Sequence, residues 1–336
     1  MYLFLCLFAA LFGALLTRWL IQKFSQHLLD LPNDRSSHTQ PTPRGGGLGF
    51  CLAFAVTSLI GWGLSYFWPA AAALNLFPNP LNVLLVLLPL AIVGLLDDRF
   101  TLSAKVRYAV QIGAAAIALL SFGAFSLTWL PETLWVTVLM GGVTLIGFTA
   151  LVNFYNFMDG LDGLVASVTA IQLGFLALYL NQPLWWLLVA ALLGFLGWNW
   201  SPAKIFMGDV GSTVLGASVA IALIVPAADP GLNIAALAIT LPLTADAIYT
   251  LTRRLLKGEN IFQAHRTHLY QRLQQSGWSH RRVAIAYGLW TGLLAMLIGS
   301  LNGFGSLLGL IISGLLIIAG EYYLNAQPKA ARPSQP

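Results

Sequence analysis

Charge is what this sequence most lacks. Asp, Glu, Lys and Arg make up 9% of its 336 residues, where a soluble domain carries roughly 25%. Hydrophobic residues make up 58%. That balance excludes a large water-soluble core and leaves a chain that crosses a membrane many times. Cysteine is nearly absent. Cys6 and Cys51 both fall in apolar runs, and no Cys-x-x-Cys or Cys/His spacing accompanies them. Neither a disulfide framework nor a zinc site is expected. Residues 1–17 hold no charge, so the basic start of a cleaved secretory signal is missing. Residues 2–22 read instead as a retained first span. No soluble domain and no internal repeat interrupts the chain.

A spanning helix needs about 20 mostly apolar residues. Eleven segments qualify: 2–22, 47–68, 81–96, 106–122, 133–153, 164–180, 184–200, 211–227, 232–252, 282–300 and 304–324. The expected fold class is all-α, a polytopic integral membrane protein of about 11 transmembrane helices. Residues 1–325 form its single transmembrane domain, and 326–336 a disordered polar tail. Lys and Arg set the orientation. All 17 fall at or beside the alternate loops 23–46, 97–105, 201–210, 253–281 and the tail. Loops 69–80, 123–132, 181–183, 228–231 and 301–303 contain none. This predicts the N-terminus outside and the C-terminus cytoplasmic. The net charge of +5 is then mostly topology, and no nucleic-acid partner is expected.

Polar residues gather at the predicted inner ends. In residues 153–164, NFYNFMDGLDGL, Asn156, Asp159 and Asp162 recur every third position. On a helix they share a face and suit a hard cation such as Mg²⁺; the plainer reading is a capping cluster with helix-breaking glycines. Adjacent Asp97 and Asp98 repel each other, so they need a metal, a cation or a proton. They read as metal ligands or a base, or as a solvated loop paired with Arg99. Lys105 follows, able to neutralise a phosphate. In residues 197–213, GWNWSPAKIFMGDVGST, Asn199 and Asp209 bracket a turn. Asp209 is a ligand between glycines or a helix cap, and Phe206 stacks on a base or anchors at the interface.

Three further groups complete the picture. Arg35, His38 and Arg44 in the first inner loop are an anion contact for a lipid phosphate, or simply inner-loop charge. His265, Arg266 and His268 lie in HRTHLYQRL and read as a phosphate clamp or as part of a solvated amphipathic helix. Asp246 lies within a span, where an acid is a functional candidate by default; a transporter or lipid flippase would use it, or it pairs with Arg253 seven residues on. His27 and His280 read as surface residues, and Trp129, Trp135, Trp185 and Trp186 as interface anchors. The economical sum is one inner-face site holding a divalent metal and a diphosphate, with a lipid phosphate as acceptor.

Four motifs in order, PTPRGGG, DDRFTLSAK, NFMDGLDGL and FMGDVGS, with HRTHLYQRL as a fifth, resemble those of the polyprenyl-phosphate N-acetylhexosamine-1-phosphate transferases, glycosyl transferase family 4. The resemblance spans about residues 1–300. It implies transfer of a sugar 1-phosphate from a UDP-N-acetylhexosamine to undecaprenyl phosphate, with release of UMP and with Mg²⁺ or Mn²⁺. The site would sit on the cytoplasmic face of a bacterial inner membrane. By the same resemblance Asp209 binds the metal with Asn156 beside it. Asp97 and Asp98 are the acidic pair, Asp98 orienting or deprotonating the lipid phosphate, and Asp159 joins them near the metal. Lys105 lies near the donor phosphates, Asp162, Asn199 and Phe206 on the nucleotide side, and His265, Arg266 and His268 at the diphosphate. Members acting in peptidoglycan synthesis carry adjacent histidines where this chain has HRTH. The branch implied is the one that primes O-antigen, with UDP-GlcNAc or a 6-deoxy relative such as UDP-FucNAc or UDP-QuiNAc as donor. A homodimer is left open.

Overall fold

Away from water, only hydrogen bonds within a segment can satisfy the backbone of a long apolar run, so such runs become helices. The computed structural model describes residues 2–32, 40–67, 79–127, 129–131, 133–260, 263 and 265–327. Its helices are α1 (Tyr2–Phe24), α2 (Gly47–Phe67), α3 (Leu81–Phe100), α4 (Ala104–Phe122), α5 (Leu134–Met158), α6 (Leu164–Tyr179), α7 (Leu184–Asn199), α8 (Asp209–Ile224), α9 (Pro230–Ala236), α10 (Leu241–Leu256), α11 (Leu269–Gln275) and α12 (His280–Ala326). Among the described residues, seven helical stretches are long and apolar enough to cross a membrane, and α6, α7 and α8 are shorter apolar helices.

Every expected span overlaps a helix, with two differences in detail. The segment 232–252 is divided into α9, a 3-10 turn (Leu237–Thr240) and α10. Pro242, at the start of α10, has no N–H to extend a continuous ladder. The segments 282–300 and 304–324 run together as α12, broken at Asn302, where φ is 48° and ψ −126°. The all-α expectation also gains a small exception. Leu29–Asp30 (β1) and Thr42–Pro43 (β2) pair antiparallel, Leu29 opposite Pro43. Arg35, His38 and residues 328–336 of the expected tail lie outside the described residues, while Ala326 ends α12.

Helix α8 forms the centre, with every residue from Val210 to Ile224 buried. It packs against α2, α3, α5 and α6. Small residues let it approach its neighbours closely. A Cβ on Gly47 would lie 2.3 Å from the Gly211 Cα, and one on Gly94 would lie 2.5 Å from the Val210 Cα. The start of α2 and the end of α3 are therefore pressed onto the start of α8. Trp129 and Trp135 are exposed, as interface anchors would be, but Trp185 is buried and stacks on Phe54 at 6.2 Å. It belongs to the core because its helix, α7, packs inside the bundle against α1, α2 and α6.

Candidate active site

The end of α3, the first turns of α4, the end of α5, the start of α8 and the loop after α10 meet at one end of the bundle. Asp98, buried on α3, accepts hydrogen bonds from the N–H groups of Asp209 (3.1 Å) and Val210 (3.4 Å). It thus satisfies donors that a helix start leaves orphaned. Gly208 makes this possible: its φ is +75°, and a Cβ there would lie 2.3 Å from the Asp98 carboxylate. The glycine of one motif is required by the acid of another. Arg44 backs Asp98, donating to its carbonyl oxygen and placing Nε 3.9 Å from Oδ1.

Asp97 turns the other way. Its Oδ1 accepts from the Leu102 N–H at 2.5 Å, and its Oδ2 lies 3.1 Å from Arg107 Nη1. The same Arg107 nitrogen is 3.5 Å from Asp209 Oδ2. Asn156 hydrogen-bonds the Asp209 carboxylate and donates to Ser212 Oγ at 3.1 Å. Asp97, Arg107, Asn156 and Asp209 line a cavity of about 380 Å³, together with His265 and His268 and the apolar Leu90, Val93 and Val110. Deeper along α4 and α5, the Gln111 carboxamide oxygen accepts from Asn153 Nδ2 at 2.7 Å, and both residues face the cavity.

Asp159 caps α5, its N–H donating to the Asn156 carbonyl at 3.2 Å. Burial pushes its carboxyl well above the usual range, and the nearby charges of Asp209, Asp98 and Asp162 push it further. Asp162 goes the opposite way. Burial alone would raise it, but a hydrogen bond and charge from His280, with the Ala203 N–H and Ser201, hold it below the ordinary value. His280 Nδ1 lies 3.2 Å from Asp162 Oδ1, which corrects its reading as a surface residue: α12 starts against the DGLDG loop. Asn199 is buried, accepting from Gly163 N–H at 3.1 Å and donating to the Ile205 carbonyl at 2.9 Å. The half-buried Phe206 carries backbone bonds to both Pro43 and Gly46. Asp162, Asn199 and Phe206 therefore stitch three loops together beside the cavity.

The histidine loop is held by Asp246. Its carboxylate accepts from the N–H groups of Leu269 (2.8 Å) and Tyr270 (3.1 Å), from the Tyr287 hydroxyl (2.7 Å) and from Thr250 (3.1 Å). His268 Nδ1 is 3.7 Å away. Arg253 is not its partner; it turns to Glu321 and to the Thr267 carbonyl. The Tyr270 hydroxyl donates to the Phe157 carbonyl at 3.0 Å, tying the histidine loop to the acidic one. His265 and His268 lie with ring centres 5.0 Å apart. Burial, then the neighbouring His268 and the cationic Arg254 and Arg253, lowers His265 to about 4, so it is a neutral imidazole at pH 7.

Of the residues singled out from sequence, Asp97, Asn156, Asp209, His265 and His268 line the cavity, and Asp98 supports it from behind. Lys105 is exposed on the first turn of α4 and, like Arg266, is not part of the lining. Arg107 takes the place beside the acids. The signal for it was its position two residues after Lys105, on nearly the opposite face of the helix.

Among the described residues no group of three His, Cys, Asp or Glu forms a ready-made metal cage. The donors present are carboxylate oxygens of Asp97 and Asp209, drawn to one shared cation, with Asn156 at hand. That set fits Mg²⁺ or Mn²⁺ held by one or two carboxylates, several waters and substrate phosphates. It does not fit a closed zinc site.

A family model described as glycosyl transferase family 4 matches residues 80–227, which carry Asp97, Asp98, Asn156, Asp159, Asp162, Asn199 and Asp209 but not Asp246 or the histidine loop. The chain is 30% identical over 299 residues to a decaprenyl-phosphate N-acetylglucosaminephosphotransferase of Mycolicibacterium smegmatis, covering 79% of this chain and 73% of the relative. It is 32% identical over 300 residues to an undecaprenyl-phosphate alpha-N-acetylglucosaminyl 1-phosphate transferase of Yersinia pestis, covering 80% and 76%. Over 271 residues it is 30% identical to a probable undecaprenyl-phosphate N-acetylglucosaminyl 1-phosphate transferase of Bacillus subtilis, covering 75% and 71%. The chain belongs to glycosyl transferase family 4, an integral membrane phosphoglycosyltransferase.

Proposed function

We propose that this enzyme moves N-acetylhexosamine 1-phosphate from a UDP-sugar to undecaprenyl phosphate, releasing UMP. The step would open an O-antigen or related envelope polysaccharide, at the cytoplasmic face of the inner membrane, in a chain of eleven spans. One observation carries the reading: Asp97, Arg107, Asp209 and the histidine pair line a single cavity whose lining also includes apolar Leu90, Val93 and Val110. An oxygen of the lipid phosphate forms the new bond to the sugar-bearing phosphorus as the bond to UMP breaks.

Asp209, Asn156 and Asp97 are the residues that would hold Mg²⁺ or Mn²⁺. When bound, such an ion neutralises the donor diphosphate and the UMP leaving group. Arg107 and the two histidines offer N–H donors to phosphate oxygens. Asp98 fixes Asp209 by capping α8. Leu90, Val93 and Val110 give the start of the prenyl chain an apolar wall. For the donor, the names of the relatives favour UDP-GlcNAc; HRTH in place of adjacent histidines keeps a 6-deoxy relative such as UDP-FucNAc or UDP-QuiNAc as the alternative. A transporter working through Asp246 has no comparable support, because that carboxylate is fully buried and its oxygens are taken.

The test is UMP release by purified protein given undecaprenyl phosphate and a panel of UDP-sugars. Metal-dependent release from at least one UDP-N-acetylhexosamine, lost in EDTA and restored by Mg²⁺ or Mn²⁺, is expected. No release from any of them rejects the proposal.

A further inference from the structure

Glu321 lies in the last half of α12, beyond the break at Asn302 and outside every motif. A seam of buried residues, Gly305, Gly309, Ser313, Ile317 and Leu324, docks this half against the bundle. Trp290 Nε1 donates to Ser313 Oγ at 3.1 Å, and Trp278 Nε1 to the Tyr323 hydroxyl at 3.0 Å. The segment is thus fixed at its middle and near its C-terminal end, and Glu321 is delivered to one place.

There its carboxylate gathers two arginines. Arg272 of α11 reaches it with both terminal nitrogens, Nη2 to Oε2 at 3.0 Å and Nη1 to Oε1. Arg253, in the last turn of α10, places Nη1 3.3 Å from Oε1. The other terminal nitrogen of Arg253 donates to the Thr267 carbonyl at 2.6 Å, between Arg266 and His268. Arg253 and Glu321 are each 19% exposed and Arg272 14%. One acid therefore grips the helix before the histidine loop, the helix after it, and, through Arg253, the loop's own backbone. Partly buried charge of this kind is held only where geometry and hydrogen bonds are good. Without Glu321 the two guanidinium groups would lose the carboxylate that lies between them, and Arg253 would keep only its bond to the Thr267 carbonyl and the Tyr249 ring.

We propose that Glu321 is a positioning residue for the donor side of the site, holding the loop so that His265 and His268 face the cavity. The inference rests on the reading of that loop as the diphosphate contact. It assigns the last helical segment a role in the reaction although none of its residues lines the cavity.

The test uses the full chain in detergent with Glu321→Gln, which keeps size and removes charge, and Glu321→Asp, which keeps charge. Two readouts are needed: amide hydrogen exchange at residues 265–268, and KM for donor and acceptor separately. Glu321→Gln should speed exchange at 265–268 but not at 156–164, and raise donor KM about tenfold with acceptor KM unchanged. Glu321→Asp should recover most of both. Unchanged exchange in Glu321→Gln overturns the inference while the transferase reading stands. Faster exchange with unchanged donor KM overturns both the inference and the placing of the donor at this loop. Donor and acceptor KM rising together with a loss of thermal stability marks Glu321 as structural only and overturns the inference.

Discussion

Asp246 and Asp209 are both acids set into the helix bundle, and the fold treats them in opposite ways. Asp246 is 0% exposed and receives two backbone N–H groups and two hydroxyls. Asp209 keeps 28% of its side chain exposed and shares the Arg107 nitrogen with Asp97. Asp98 and Asp159 stand close by and add to the repulsion. One region has a single acid amid four donors; the other has four acids, with Arg107 shared by two of them and Arg44 behind a third. The first is electrostatically closed and works as scaffolding. The second is short of positive charge, which is what the proposed divalent cation would supply. Burial alone does not mark a reactive acid; the balance of partners around it does.

The largest effect that would sharpen this contrast comes from Asp246→Ala. It strands two buried N–H groups and a tyrosine hydroxyl, at about 1–3 kcal/mol each. Folded protein should scarcely accumulate, and thermal unfolding in detergent should shift far downward; Asp246→Asn, which keeps an acceptor oxygen, should be milder. Asp209→Asn should do the reverse, lowering UMP release by roughly 10²–10³-fold, on the scale of losing one charge-stabilising group, with Tm near that of the wild type. If Asp246→Ala were stable and silent while Asp209→Asn unfolded, the contrast would be broken.

A smaller effect tests the crowding of acids itself. The folded-state pKa of Asp159 is raised, so its favourable contribution is full below the unfolded value near ~4 and drains away as pH rises through the folded one. Asp159→Asn removes that drain. In chelator its Tm should exceed the wild-type value at pH 7, and the two should converge near pH ~4. Asp162 supplies the opposite sign, being held low by His280. Stability from that pair is full above pH ~4 and is lost as pH falls through the folded value. Asp162→Asn should therefore lower Tm at neutral pH, with the difference vanishing in acid.

What could be read from sequence was local. Apolar runs named the helices, and the acids stood out because nothing else in their surroundings was polar. The glycines flanking Asp209 stood out, but what Gly208 approaches, Asp98, comes from another motif, and the approach of Gly47 to Gly211 carried no signal of its own. What stayed hidden depended on distant partners. Arg253, two turns from Asp246 on the same helix, was the obvious mate, yet the backbone of residues 269–270 took that place, and peptide N–H groups carry no sequence signal. Lys105 and Arg107 are equally cationic, but at about 100° per residue they point nearly opposite ways, and only packing decides which meets the acids. His280 looked solitary because its partner, Asp162, is over a hundred positions away.

The claim beneath these predictions is that Asp97, Asn156 and Asp209 meet around one divalent cation. Titrating the detergent-solubilised protein with Mn²⁺ in the presence of UDP-GlcNAc, and following free Mn²⁺ by electron paramagnetic resonance, tests it without relying on turnover. The account predicts one bound Mn²⁺ per chain, weakened by about tenfold or more in Asp209→Asn and retained in folded Asp246→Asn. Equal Mn²⁺ binding by the wild type and Asp209→Asn would contradict it.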